Sequence, residues 1–266
     1  MKIQPNKIKK LYDLIDQHGV EAVDNFYLRL NKGIKREYDK RDKNKIKIKS
    51  GSGVLMDLIK DKKYKYSHAF IKKQNYIIKS FVSQGYEVAR YTFSPFKKII
   101  VGLGQESVRE ISMTLHWIYG TPYIPGQAIK GVVSNWLIEE GAKTDKNYDL
   151  IFGNQDSKGQ VIFMDSYPEN MDFSINLDIM NPHYFHYYTG NMGPTDWQNP
   201  NPIFFLTLKN IKFNINLVYI NKKLKDEKIA GKTLEEWLIK ALEVGGIGAK
   251  TALGYGKGKL IPIKGD

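Results

Sequence analysis

The chain has 266 residues, 42% of them apolar, with no cysteine and a formal net charge of +13. That length and apolar share allow one large domain, or one domain with a substantial appendage, around a packed core. The absence of cysteine excludes disulfides and thiolate metal sites, and no run is long or apolar enough for a transmembrane helix. No secretory apolar core follows Met1, so the expectation is a cytoplasmic protein with no membrane partner.

The positive charge is unevenly placed. Residues 1–100 carry 24 Lys and Arg against 10 Asp and Glu, a net of +14, whereas residues 101–266 carry 17 against 18, a net of −1. A basic block on a near-neutral body points to a polyanionic partner. Lysine supplies 36 of the 41 cations, so compositional bias or adaptation to high temperature is the competing explanation.

Periodicity predicts helices over residues 1–32, broken near Gly19. Ile8, Leu11, Tyr12, Leu14 and Ile15 share one face, and Val23, Phe26, Tyr27 and Leu30 another. Lys32–Lys49 is a charge run closed by Ser50-Gly51-Ser52-Gly53. It reads as a solvated helix face or a mobile loop, or else as a contact for nucleic-acid backbone through Lys35, Arg36, Arg41 and Lys43. Residues 54–90 read as helical, with Tyr64, Tyr66, Tyr76 and Tyr86 among lysines. Aromatics among cations suit base stacking, but core or boundary positions are the expectation for most of them. Residues 1–90 thus form a helical, basic N-terminal region, and 91–266 a separate α+β core.

In that core, Lys98–Gly104 is an apolar run. Ile111–Trp117 alternates with period two, as a half-buried strand does. Pro125-Gly126 dictates a turn. A helix is predicted from Gln127 to about Glu139, with Ile129, Val132, Val133, Trp136 and Leu137 facing inward. Lys130 falls in its first turn, where a lysine opposes the helix dipole unless a bound anion sits there. Gly159–Pro168 reads as a strand closed by proline. Ile203–Asn221 reads as a hairpin turning near Lys209-Asn210.

Residues 233–244 read as an amphipathic helix through Leu234, Trp237, Leu238, Ala241 and Leu242. Six glycines follow within Gly245–Gly258, and then a short strand, 259–263. Glycine takes positive φ freely and admits close backbone approach. Such a loop is either a tight connection or an anion cradle, in which open amides and lysines meet phosphate oxygens. It is not a nucleotide P-loop. Ala249 precedes Lys250-Thr251 where that motif needs glycine, and helix–loop–strand reverses its order. Gly102-Leu103-Gly104 lacks the third glycine of a dinucleotide fingerprint, since Ser107 stands there.

Tyr123-Ile124-Pro125-Gly126-Gln127-Ala128-Ile129-Lys130-Gly131 resembles the I-P-G-S-S-I-K-G motif of the RAMP superfamily, proteins of CRISPR effector complexes. Gln127 and Ala128 replace its two small hydroxyl residues. Gly245–Gly258 resembles that family's C-terminal glycine-rich loop, and the segment with Asp165, Ser166 and Pro168 has a family counterpart too. Leu177–Tyr184 together with Asp196-Trp197 and Pro200–Leu206 is similar to the branch that supplies sixth subunits to Cmr complexes, of type III-B systems. Residues 98–263 carry the resemblance. It implies a ferredoxin-like or RRM-like core with insertions, which the order strand, helix, strands, helix, strand also suggests.

The resemblance further implies a non-catalytic, RNA-binding structural subunit. Its partners would be CRISPR guide RNA, target RNA and other Cmr/RAMP subunits. The expected RNA contacts are Gly246, Gly248 and Gly256 through their amides, with Lys130, Lys250, Thr251, Tyr255 and Lys257, and the basic block Lys35, Arg36, Arg41 and Lys43. No cofactor is implied. Some relatives are metal-independent endoribonucleases using histidine, so a stand-alone CRISPR RNA processing enzyme is the alternative. His116, His183 and His186 have no acid–base partner at a suitable spacing. Asp165 and Asp178 read as capping or turn residues.

Overall fold

The computed structural model describes residues 13, 15, 17–19, 22–33, 36–38, 46–48, 52–59, 67–104, 107, 111–169, 172–181, 190, 193 and 202–263. Helix α1 (Phe26–Asn31) is capped by Asn25, whose side chain accepts from Leu28 N–H. The described residues of the charge run are not helical. Strands β1 (Arg36–Tyr38) and β2 (Ile46–Ile48) pair antiparallel within it, Arg36 opposite Ile48. The strict Lys-Ile-Lys-Ile-Lys alternation of residues 45–49 carries the period-two signal that the density of charge conceals. Helices α2 (Ser52–Ile59) and α3 (Ser67–Ser83) follow. α3 is seated through buried Phe70 and Ile78, while Tyr76 stands 74% exposed rather than in the core.

Strand β3 (Glu87–Pro95) alternates as a two-faced strand should, with Ala89, Tyr91 and Phe93 buried between partly exposed neighbours. Strand β4 (Lys98–Ile99) opens the next apolar run. The segment 111–116 is extended but is not a strand of either sheet, and Trp117 already belongs to the turn that follows. The extended segment makes one bridge, Leu115 to Pro122, and Ile111, Ser112, Met113, Thr114 and Leu115 are all buried. Thr114 N–H donates to Val101 O and its carbonyl accepts from Tyr123 N–H, so the segment is wedged between two loops. Alternation marked its extended backbone, and packing on both sides removed the solvent face.

Helix α4 spans Gly126–Glu139, with Ile129, Val133 and Leu137 fully buried and Val132 and Trp136 packed at the margin. Then come α5 (Lys146–Phe152), β5 (Val161–Phe163), β6 (Tyr167–Pro168) and β7 (Ser174–Met180). They are followed by β8 (Ile203–Lys209), β9 (Phe213–Tyr219), β10 (Lys228–Ile229), β11 (Lys232–Thr233), α6 (Leu234–Lys240) and β12 (Gly258–Pro262).

One antiparallel sheet runs β12-β3-β9-β5, with β6 also on β9; a second runs β4-β8-β7. Helices α4 and α6 cover the Tyr91 face of the first sheet, where Leu234, Trp237 and Leu238 join α4's buried residues and Tyr91 donates to Glu235. The expected β8–β9 hairpin does not form. Both strands exist, but β8 pairs with β4 and β7 while β9 pairs with β3, β5 and β6. Asn210, at φ 57°, turns the chain, and Ile211 is buried as it crosses between sheets. Local pattern specified two strands; burial of both on two faces left their partners to the tertiary fold. Among the described residues, no helix is long and apolar enough to cross a membrane.

Candidate nucleic-acid interface

The glycine-rich loop begins where α6 ends. Thr233 and Glu236 form a capping box at the helix start. At the other end the helix widens into a π turn over Ala241–Gly245, closed by Gly246 N–H donating to Ala241 O at 2.8 Å. The loop then folds against the backbone of residues 96–100. Ala249 N–H donates to Ile100 O, Gly256 N–H to Lys98 O, Ile247 N–H to Gly256 O, and Phe96 N–H to Lys257 O. Several positions tolerate nothing larger than glycine, Gly258 against Ser94 O among them. A Cβ on Gly248, at φ 97°, would lie 2.1 Å from Ile100 O, and one on Gly256, at φ 66°, 1.9 Å from Ile247 O.

This contact changes the role of the glycines. The amides of Gly246 and Gly256, expected to face an anion, are already donating inside the protein. The loop therefore presents side chains. Lys250, held in a left-handed conformation at φ 60°, lies with Nζ 2.8 Å from Met180 Sδ and 5.3 Å from the Phe205 ring centre. Thioether and ring are weak partners for an ammonium, and among the described residues no carboxylate pairs with it. Tyr255 O–H donates to Asp178 Oδ2 at 2.9 Å, and Lys98 Nζ donates to the same oxygen at 2.8 Å. Leu253 is 75% exposed at the loop tip.

Asp178 is neither a cap nor a turn residue. It sits in β7 and ties both β4 and the loop to the second sheet. Burial pushes its pKa up, but the Lys98 and Tyr255 hydrogen bonds, the Lys98 charge and the Ile179 amide outweigh that and hold it below the usual carboxylate range. Burial, then the Asp178 hydrogen bond and charge, push the Tyr255 phenol up. Lys98, Met180 and Phe205 carried no sequence signal as partners of the loop, because strands β4, β7 and β8 bring them there from about 45 to 150 residues away. A lone carboxylate between Leu177 and Ile179 was the clue to Asp178.

The fold gathers Gly246, Gly248, Lys250, Thr251, Tyr255, Gly256 and Lys257 into this one loop. Lys130 lines a different groove, with Gly126, Gln127 and the 152–159 turn. Of the basic block, Arg36 lies on β1, while Lys35, Arg41 and Lys43 lie outside the described residues, as do His183 and His186.

The second motif is locked from below. Asp165 Oδ1 accepts from Gly126 N–H at 2.8 Å, so the anion at the α4 N-terminus is the protein's own carboxylate. Gly126 is required because a Cβ there would lie 2.0 Å from Phe163 O; at Gly131 a Cβ would meet open space. Ile124 and Ser166 exchange backbone hydrogen bonds, and buried Ser166 donates Oγ–H to Asn214 O. Tyr123 stacks on Tyr167 at 5.4 Å. His116 serves a turn: its Nδ1 accepts from the amides of Ile118 and Tyr119. Among the described residues no cluster of three His, Asp or Glu side chains could hold a metal ion.

The family model of the RAMP superfamily matches residues 92–259, from within β3 into β12. The chain belongs to the RAMP superfamily. The match takes in both glycine motifs of this RAMP protein and leaves β1, β2 and α1–α3 outside. It is 33% identical to the CRISPR system Cmr subunit Cmr6 of Pyrococcus furiosus, across 62% of this chain and 66% of that one. It is 30% identical to the Cmr6 subunit of Saccharolobus solfataricus, across 54% of this chain and 46% of that one. The alignments thus span less than two thirds of either relative's own length. A chain in the cryo-EM structure of a Type III-B Cmr-beta bound to cognate target RNA superposes with a TM-score of 0.63 at 21% identity, covering 79% of this chain and 72% of that one. That likeness extends the shared fold beyond the family match.

Proposed function

We propose that this RAMP protein is a non-catalytic, RNA-binding structural subunit of a type III-B Cmr effector complex. It contacts guide RNA, target RNA and neighbouring RAMP subunits, in the cytoplasm. Its first sheet is read as a ferredoxin-like core: β3, β5, β9 and β12 supply strands one to four, and the observed order corresponds to 4-1-3-2, with α4 and α6 as the crossover helices.

The observation that carries the RNA reading is Lys250. It is an ammonium fixed on a rigid loop against a thioether and a ring, with no carboxylate to neutralise it among the described residues. A phosphate oxygen is the partner that chemistry suits. Lys257, Thr251 and Tyr255 extend the same surface, and Gly246, Gly248 and Gly256 shape it. Lys130 and the block Lys35, Arg36, Arg41 and Lys43 add backbone contacts elsewhere along the RNA.

The test is guide-RNA binding by Lys250→Ala. Loss of one charge-assisted hydrogen bond should weaken binding by about 1.5–3 kcal/mol with an unchanged melting temperature. Wild-type affinity in that variant would reduce the loop to a structural connection. Defined cleavage of repeat RNA by the purified chain would instead establish the processing-enzyme alternative.

A further inference from the structure

The turn Trp117–Tyr119 projects Trp117 and Ile118 into solvent, 75% and 73% exposed, between buried Leu115 and buried Thr121. Such side chains on a turn would ordinarily be mobile, but this turn is held from several directions. Asn25 Nδ2 donates to Trp117 O at 2.9 Å and to Ile118 O at 2.8 Å. His116 Nδ1 accepts from Ile118 and Tyr119 N–H at 3.2 and 3.4 Å. Gly120 N–H donates to His116 O, and His116 N–H to Thr121 O. Gly120 packs so closely on α1 that a Cβ would lie 2.5 Å from Phe26 N. Asn25 also caps α1, so the tip and the helix are fixed by one side chain.

We infer that the Trp117–Ile118 tip is a docking anchor that inserts into an apolar pocket of a neighbouring protein subunit. Truncation-sensitive anchors at protein interfaces are enriched in tryptophan, and a rigid presenter loses little entropy on binding. Charge decides between protein and RNA as the occupant. Residues 111–129 contain no Asp, Glu, Lys or Arg in a chain that is 26% charged. A single-stranded RNA site pairs its aromatics with cations along the backbone. Among the described residues, the cation whose charge acts on the His116 ring, at the base of the turn, is Lys73 of α3.

The inference rests on the subunit reading above, since it needs a neighbouring subunit. The experiment reconstitutes the full-length chain, wild type or Trp117→Ala/Ile118→Ser, with the remaining Cmr subunits and guide RNA. It measures incorporation, and for the isolated chain it measures melting temperature and affinity for a single-stranded RNA. The expected result is incorporation about thirtyfold weaker for the double variant, with both isolated-chain properties unchanged. Equal incorporation overturns the anchor and leaves the subunit reading standing. A matching loss of RNA affinity in the isolated variant overturns it in favour of a base contact. Failure of the wild-type chain to incorporate overturns the subunit reading and the anchor together.

Discussion

His116 illustrates how one side chain's protonation can be tied to a backbone turn. Its Nδ1 lone pair accepts two amides, which requires the neutral ring. Burial, then the Lys73 charge, lower its pKa below the ordinary 6.5, against an opposing pull from Asp165. A histidine whose folded-state pKa is lowered contributes stability that is complete above pH 6.5 and is lost as pH falls through the lowered value. His116→Asn keeps an acceptor near the Nδ1 position without titrating. The stability difference between wild type and this variant should therefore be constant above pH 6.5 and shift against the wild type on acidification. Denaturant titrations across that range check it; parallel curves would show that the ring does not titrate with the turn.

Among elements, the loop after α6 shows why a glycine-rich stretch can be mostly architecture. Its glycines are not equivalent. Gly256 stands against the Ile247 carbonyl, whereas Gly254, at φ 88°, faces open space. Gly254→Ala should cost only the strain of a left-handed residue, about 1–2 kcal/mol. Gly256→Ala adds a backbone collision to that strain and should cost roughly 3–5 kcal/mol. Thermal melts of the two variants separate the cases, and equal losses would remove the close-packing explanation. The helix, the glycine run and the closing strand were each legible as local patterns. That the amides of Gly246 and Gly256 are already occupied was not, because Gly256's acceptor, Lys98 O, lies over 150 residues away in the chain.

At the scale of the whole molecule the charge asymmetry is the leading electrostatic feature. If the N-terminal block meets RNA phosphates, neutralising Lys35, Arg36, Arg41 and Lys43 together should weaken binding similarly for every RNA sequence. It should also flatten the dependence of affinity on salt, by up to about 0.7–0.9 in slope per lost phosphate contact. An unaltered slope would return the block to being a solvated surface. The amino-acid sequence by itself determined what depends on neighbours within a turn or two: helices α4 and α6 with their buried faces, the Pro125-Gly126 turn, the positions of β8 and β9, the glycine loop, and the motifs that mark the superfamily. Only the tertiary structure decided which strands pair, that Asp165 caps α4, that Asp178 joins Lys98 to Tyr255, and that Lys130 lies in a groove lined by the 152–159 turn. The physical reason is that backbone propensity and hydrophobic period act locally. Strand partners, and the acceptor that a buried amide or lysine finds, are set by which distant surfaces must exclude water together.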